Sequence, residues 1–143
     1  MIWQNQWQTA LVCNSSKTIF CLNPDTGETL WEGPGGGAST PASTENYLVA
    51  HGKTEDVGLI CYEAKADGIY EKWRFPKLTR RTDSSPLIYG EKAILFGAGM
   101  RLCIDLKSGE VLRKVPAKHD ISSPILAGGK VLAYEINGSF LIS

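Results

Sequence analysis

The feature that most constrains this chain is an internal repeat with a period of about 40 residues, which is close to the length of one β-propeller blade. A cysteine that follows a large apolar residue recurs three times, at Cys21, Cys61 and Cys103. A turn with a glycine comes next in each copy, at Gly27, Gly68 and Gly109. A short strand-like segment then closes the copy, and it contains Trp31 in the first copy and Trp73 in the second. A repeat of this length with several short strands per copy is typical of β-propellers.

A second landmark fixes the register of the copies. A Ser/Thr-Pro step precedes an apolar strand three times, at 39–41, 84–86 and 122–124. The spacing from Pro86 to Cys103, when it is counted again from Pro124, reaches Leu141. We therefore expect a fourth copy that stops after its third strand, with Leu141 at the cysteine position.

The segments between these landmarks are strand-like rather than helical. "YLVAHG", "KAILFG" and "KVLAYE" are short, rich in β-branched, aliphatic and aromatic residues, and bounded by turn residues. No stretch holds the apolar period of a helix over several turns. The sequence predicts an all-β, β-propeller-type fold of consecutive four-stranded antiparallel blades in an incomplete ring. It forms one partial domain over 1–143, with blades near 1–34, 38–76, 82–116 and 120–143, of which the first and last are incomplete.

The repeated cysteine is interpreted as a packing residue. Its strand is apolar on both sides, so it must be covered on both sides, as a blade is by its two neighbours. A free cysteine then acts as a small apolar residue at a tight contact between blades. Trp31 and Trp73 are expected to link successive blades, whereas Arg113, which replaces tryptophan in the third copy, should keep its head group in water and weaken that junction. One extra residue on each side of Gly68 predicts an irregular hairpin in the second copy.

Composition and motifs exclude several functions. Fifteen basic and fifteen acidic side chains cancel, which argues against nucleic acid as a partner. No apolar run is long enough to insert into a membrane, and no signal peptide is expected at the N-terminus. His51 and His119 lack zinc-ligand spacing, "NPDTGE" lacks the pattern of a calcium loop, and "GPGGG" lacks the rest of a phosphate loop. "KHD" at 118–120, with the serines that follow it, contains the residue types of a hydrolase triad, but those serines are the repeat's own Ser-Ser-Pro element. We predict no catalytic residue, no metal site and no cofactor.

One cluster of charge stands out on this neutral chain. Five cations lie close together in the connection between the second and third copies: Lys72, Arg74, Lys77, Arg80 and Arg81. The segment is either a solvated connector or a docking patch for an acidic partner, a glycan or an anionic surface. We retain it as a candidate binding patch.

The repeat resembles the blades of the pyrroloquinoline-quinone-like β-propeller superfamily. The shared pattern is Ser-Pro, a strand, a small residue, an acidic or amide residue, a Thr/Ser-Gly-Glu turn and tryptophan. Here the small residue is the cysteine, and the polar position holds Asn23, Glu63 or Asp105. The superfamily includes quinoprotein dehydrogenases and non-enzymatic assembly lipoproteins of the outer membrane, and its members generally close into rings of seven or eight blades.

The resemblance implies a non-enzymatic interaction or scaffold module, about 3.5 blades of a larger propeller protein. Its partner would be a protein, or a second copy joined through open blade edges so that two arcs form a ring. The alternatives are a fragment of a quinone-dependent dehydrogenase, which would need adjacent cysteines and calcium ligands that we do not find, and a ligand-sensing domain of a signalling protein. An extracytoplasmic or periplasmic location follows from the resemblance alone, and four unpaired thiols fit it poorly.

Overall fold

A computed structural model describes residues 1–52, 56–76, 84–97, 100–116, 123–134 and 140–142. Within these ranges the chain folds into fifteen β-strands. They form four antiparallel sheets, and in each sheet every strand pairs with the next one along the chain. This is the all-β arrangement of consecutive blades without ring closure that the repeat predicts.

The first two blades contain four strands each. Blade 1 consists of β1 (Ile2–Gln4), β2 (Thr9–Asn14), β3 (Thr18–Leu22) and β4 (Thr29–Pro34). Blade 2 consists of β5 (Ala42–Ser43), β6 (Tyr47–His51), β7 (Leu59–Lys65) and β8 (Gly68–Phe75). The expectation of an incomplete first blade is wrong in one respect. Although no Ser-Pro step precedes β1, its residues pair with β2 in the register Ile2 to Leu11 and supply the fourth strand.

The remaining strands form blades 3 and 4. Blade 3 consists of β9 (Leu87–Tyr89), β10 (Lys92–Gly97), β11 (Met100–Asp105) and β12 (Val111–Pro116). Blade 4 consists, within the described residues, of β13 (Ile125–Ala127), β14 (Lys130–Tyr134) and β15 (Phe140–Ile142). The described part of the chain therefore holds three blades of four strands and one of three.

The apolar residues form a separate core at each junction between blades. Successive side chains of a strand point to opposite faces of the sheet, so a strand in a blade with a neighbour on each side contributes to two junctions. The core between blades 1 and 2 includes Ile19 and Ile60, and the core between blades 2 and 3 includes Leu59 and Leu102. The core between blades 3 and 4 is smaller, with the buried residues Ile94, Phe96, Val131 and Ala133.

A β-bulge recurs at the cysteine of the first three blades. The cysteine lies opposite the tryptophan or arginine of the next strand, in the pairs Cys21–Trp31, Cys61–Trp73 and Cys103–Arg113. The following pair skips one residue of the outer strand in each blade. Directly paired residues of neighbouring strands point to the same face, so the cysteine shares a face with the residue opposite it. The bulge shifts by one position the residues that precede the tryptophan or arginine on the outer strand.

Two expectations about hairpins are corrected by strand pairing. In blade 2, Lys65 pairs with Gly68, so the extra residues lengthen β7 and β8 and a tight turn joins them, while the β-bulge after Cys61 is the one that blades 1 and 3 also contain. In blade 4, Ile142 rather than Leu141 pairs with Leu132, the counterpart of Ile94. Counting from proline fails here because the loop between the second and third strands differs in length between blades.

Candidate functional site

The repeated cysteines lie at the junctions between blades, each on the face toward the following blade. Cys21 packs in the core that contains Leu48 and Ile60 of blade 2, and Cys61 packs in the core that contains Leu95 of blade 3. Both side chains are fully buried. Burial raises the pKa of each thiol to about 12. Since the thiolate is the reactive form, these two cysteines are inert at neutral pH.

The two tryptophans extend from their own blade onto the next. The indole of Trp31 makes an edge-to-face contact with Tyr62 of blade 2, with ring centroids 4.5 Å apart. The indole of Trp73 donates a hydrogen bond of 2.7 Å from Nε1 to the carbonyl oxygen of Leu106 in blade 3. Trp73 also lies against Gly109, where a β-carbon would stand 2.7 Å from the Cβ of Trp73. Each indole therefore holds two sheets together.

The Ser/Thr-Pro steps form a chain of hydrogen bonds from blade to blade. The amide of Thr40 donates to the hydroxyl oxygen of Ser85 at 2.8 Å, and the amide of Ser85 donates to that of Ser123 at 2.8 Å. The middle residue of each step thus provides the acceptor for the preceding blade. The hydroxyl groups of Ser85 and Ser123, which belong to the repeated Ser-Pro steps, therefore join neighbouring blades by hydrogen bonds.

A second set of links was missed by the sequence reasoning. Asn14 and His51 occupy equivalent positions at the ends of β2 and β6. Asn14 Nδ2 donates to the carbonyl of Ser39 at 2.8 Å, and His51 Nδ1 lies 3.0 Å from the carbonyl of Ser84. Because a carbonyl oxygen only accepts, Nδ1 is the donor. The signal was weak, since the two residues differ in type. The equivalent residue in blade 3 is Phe96, whose side chain has no donor.

In the oxygen-rich turns, side-chain oxygen atoms accept hydrogen bonds from groups of the same turn. The side chain of Asn23 accepts hydrogen bonds from the amides of Asp25 and Thr26, at 2.8 and 3.3 Å. In blade 3, Asp105 accepts from both the amide and the hydroxyl of Ser108, and these bonds lower the pKa of its carboxyl. Gly27 and Gly109 complete these turns at φ values of 75° and 77°. The geometry is that of a turn rather than of a calcium loop.

The glycine-rich segment at 33–37 is packed against the β2–β3 hairpin. The amide of Gly35 donates to the carbonyl of Lys17 and that of Gly37 donates to Ser15, at 3.2 and 2.8 Å. A β-carbon on Gly36 would stand 2.6 Å from the backbone of Ser15 and Lys17. Two of the amides that could have held a phosphate are thus engaged, and Gly36 permits close backbone approach.

The candidate basic patch is described only in part. Arg74 forms two hydrogen bonds to the carboxylate of Glu71, at 2.7 and 2.9 Å, and a third to the carbonyl of Asp56 at 3.0 Å. Lys72 Nζ lies 3.8 Å from the carboxylate of Glu63. Both described cations therefore have acidic neighbours. The other predicted members, Lys77, Arg80 and Arg81, lie outside the described residues, as do His119 and residues 118–120.

The face of blade 1 that points away from blade 2 carries apolar residues at positions that are buried in blade 2. Its apolar residues are Leu11, Cys13, Phe20 and Leu22, and all four are half-exposed. Strand pairing makes them equivalent to residues of blade 2 that are at most 1% exposed against blade 1: Leu48, Ala50, Ile60 and Tyr62. Ile2, which pairs with Leu11, extends the patch and is 53% exposed. We call these five residues of blade 1 the free face.

The described residues contain no group of three or more histidine, cysteine, aspartate or glutamate side chains that could hold a metal. All four cysteines are free thiols. Over the described ranges, no helix is long and apolar enough to cross a membrane. Among the described residues, the repeated cysteines and tryptophans come together as packing residues between blades.

Comparisons with known proteins agree with this architecture. BamB from Moraxella catarrhalis superimposes with a TM-score of 0.73 at 14% sequence identity, over 99% of this chain and 45% of BamB. The computationally designed protein Ika4 superimposes with a TM-score of 0.73 at 13% identity, over 99% of this chain and 88% of Ika4. These identities show a common fold alone. The chain spans less than half the length of that BamB structure.

Sequence comparisons complete the assignment. No curated protein sequence matches the chain significantly. A family model described as the outer membrane protein assembly factor BamB matches residues 6–142, which is nearly the whole chain. With its stacked four-stranded blades, the chain belongs to this BamB-like family of β-propellers.

Proposed function

We propose that this chain is a non-enzymatic protein-interaction module of a larger propeller body. The family description, an assembly factor for outer membrane proteins, supports a scaffold that binds other proteins. The exposed apolar residues of the free face of blade 1 support the proposal, because they form a surface that a neighbour would cover.

The observation that carries the proposal is the match between the free face and a packed face. Ile60 and Tyr62 of blade 2 are covered by blade 1, whereas Phe20 and Leu22 at the same positions of blade 1 have no blade against them in the described structure. Apolar surface gains roughly 25 cal/mol for each Å² removed from water. A contiguous apolar face on a sheet therefore favours a covering partner.

The packing of the equivalent face in blade 2 suggests which kind of partner would cover the free face. At the junctions between blades 1 and 2 and between blades 2 and 3, the face that is equivalent to that of Leu48 receives a small residue and an indole from the preceding blade, which are Cys21 with Trp31 and Cys61 with Trp73. We therefore propose that the free face receives another propeller blade with a small residue and an aromatic ring at these positions. BamB, of which this chain covers 45%, has the length for further blades.

The test is the solution mass of the whole chain, measured by light scattering over a range of concentrations. With its free face uncovered, the 15.6 kDa chain should associate. Phe20→Glu should return it to a monomer, because it places a charge at the centre of the free face. Leu30→Glu is the matched control, because Leu30 is an exposed residue of the same blade, 40% exposed. A strict monomer whose mass and solubility do not respond to Phe20→Glu would contradict the proposal.

We propose that the module lacks catalysis because the described cysteines and turn carboxylates serve packing and turns. Incubation with pyrroloquinoline quinone and calcium should give neither a bound chromophore nor dye-linked alcohol oxidation. Either signal would favour the quinone-dependent dehydrogenase alternative. We also propose an extracytoplasmic location from the family description, which cell fractionation would test by recovering the protein outside the cytoplasm.

A further inference from the structure

The face of blade 3 toward blade 4 carries three cations at positions that are apolar in the two preceding blades. Strand pairing aligns these cations, which are Lys92, Arg101 and Arg113, with Tyr47, Leu59 and Trp73 in the second blade. In the first blade the same positions hold Ala10, Ile19 and Trp31. At these three positions, the face toward the following blade is apolar or aromatic in blades 1 and 2 and basic in blade 3.

The three cationic positions adjoin a cleft of about 460 Å³ between blades 3 and 4. Its base is apolar and contains the buried residues Ile94, Phe96 and Val131. Leu112 and Val115 of β12 add apolar walls. All three cations line the cleft, and its described lining contains no acidic residue.

The three cations have no acidic partner among the described residues. The nearby carboxylates are engaged elsewhere: Glu91 pairs with Lys107 at 3.3 Å, and Asp105 accepts hydrogen bonds from Ser108. Arg113 is exposed and Arg101 is half-exposed, so both can reorient toward a ligand. A basic rim around an apolar base favours a ligand that is both anionic and apolar.

We propose that this cleft binds an extended acidic peptide segment in which apolar and carboxylate side chains alternate. The cations lie on three different strands, β10, β11 and β12, which are spaced about 4.8 Å apart. A ligand with several carboxylates can therefore pair with more of these cations than a ligand with one carboxylate. An extended peptide places a side chain on the same side about every 6.6 Å, which lets successive carboxylates reach different cations. Pockets of a few hundred Å³ are of the size that binds such a segment's side chains.

This site lies at the opposite end of the arc from the free face, and it does not depend on the proposed function. Sequence reasoning placed the basic docking patch at 72–81 because five cations lie close together there. The three cations of the cleft are well separated in the sequence, and only the strand register brings them onto one face.

The experiment measures fluorescence anisotropy of a labelled decapeptide that alternates glutamate with leucine, added to the whole chain. We expect saturable binding that weakens with added salt. The same peptide with glutamine in place of glutamate should bind at least tenfold more weakly. Arg101→Gln and Arg113→Gln should each weaken binding of the glutamate peptide about threefold to tenfold. Lys17→Gln, which removes one positive charge from an exposed residue of blade 1, should leave it unchanged.

A second variant separates binding from folding. Arg113→Trp restores the residue found in blades 1 and 2, so it should fill the cleft and abolish peptide binding without lowering the thermal midpoint. Equal binding of the glutamine and glutamate peptides would overturn the proposal, as would equal losses in Lys17→Gln and Arg113→Gln. So would octanoate that binds the cleft while the peptide does not, because the site would then take small amphiphiles.

Discussion

Trp73 gives the sharpest test of how the blades hold together. Its side chain is only 9% exposed, and it contacts blade 3 through the hydrogen bond to Leu106 and through the surface of Gly109. Burial of an indole removes roughly 150–250 Å² from water, which at about 25 cal/mol per Å² is an upper bound of about 4–6 kcal/mol. Truncation also leaves the Leu106 carbonyl without its donor, at a cost of about 1 kcal/mol.

We therefore expect Trp73→Ala to lower the free energy of unfolding by about 3–5 kcal/mol. Trp73→Phe should lower it by about 1–2 kcal/mol, because most of the apolar area remains and only the hydrogen bond and part of the ring are lost. The assay is urea unfolding followed by far-ultraviolet circular dichroism, with Tyr70→Ala as the control because Tyr70 lies on the same strand and is 46% exposed. A loss below about 1 kcal/mol in Trp73→Ala, or one equal to that of Tyr70→Ala, would refute the interlocking role of the indole.

Three further predictions follow from the junctions and turns. Gly27→Ala and Gly109→Ala place alanine at nearly the same positive φ, but only Gly109 lies against Trp73. Gly109→Ala should therefore lower the free energy of unfolding by about 1–3 kcal/mol more than Gly27→Ala in the same urea assay. Equal losses in the two variants would contradict the contact between Gly109 and Trp73. The buried thiols of Cys21 and Cys61 have a raised pKa of about 12, so in the unfolded chain they ionise first and stability should fall as pH rises from 9 toward 12. Between pH 8 and pH 10.5, the free energy of unfolding should fall less in the double variant Cys21→Ala/Cys61→Ala than in the wild type, and the difference should be about 1–2 kcal/mol per thiol. An identical fall in the two proteins would exclude burial of the thiols. Ser85→Ala removes the acceptor for the Thr40 amide, so it should lower the free energy of unfolding by about 0.5–1 kcal/mol. Ser16→Ala, at an exposed site, should leave the free energy of unfolding unchanged. Equal values for the two variants would show that this hydrogen bond between blades does not stabilise the fold.

The repeat was sufficient to predict the fold class, because a small residue, a turn glycine and a tryptophan at fixed spacing leave few alternatives to stacked sheets. It did not predict the loop lengths, which depend on local turn chemistry. For that reason counting from Pro124 placed Leu141 where the register has Ile142. The strand at Ile2–Gln4 was missed because it lacks the Ser-Pro step and is very short.

Contacts between blades were harder to foresee than the blades themselves. Asn14 and His51 make the same hydrogen bond with different side chains, so no shared letter marks them. The free face and the basic cleft are visible only when residues from different strands are placed on one surface. Sequence reasoning therefore found the clustered cations at 72–81 and missed the three that strand pairing brings together.

The most direct test of the stacked blades is the rate at which each cysteine is alkylated in the native chain. Pulses of N-ethylmaleimide at pH 8, followed by peptide mapping, would report the four thiols separately. Cys21 and Cys61 should react only through unfolding, while Cys103, at the equivalent position beside the cleft and half-exposed, should react measurably faster. If Cys21 and Cys61 react as fast as Cys103, their sulfur atoms are not enclosed between blades and the account of the fold's interlocking faces is wrong.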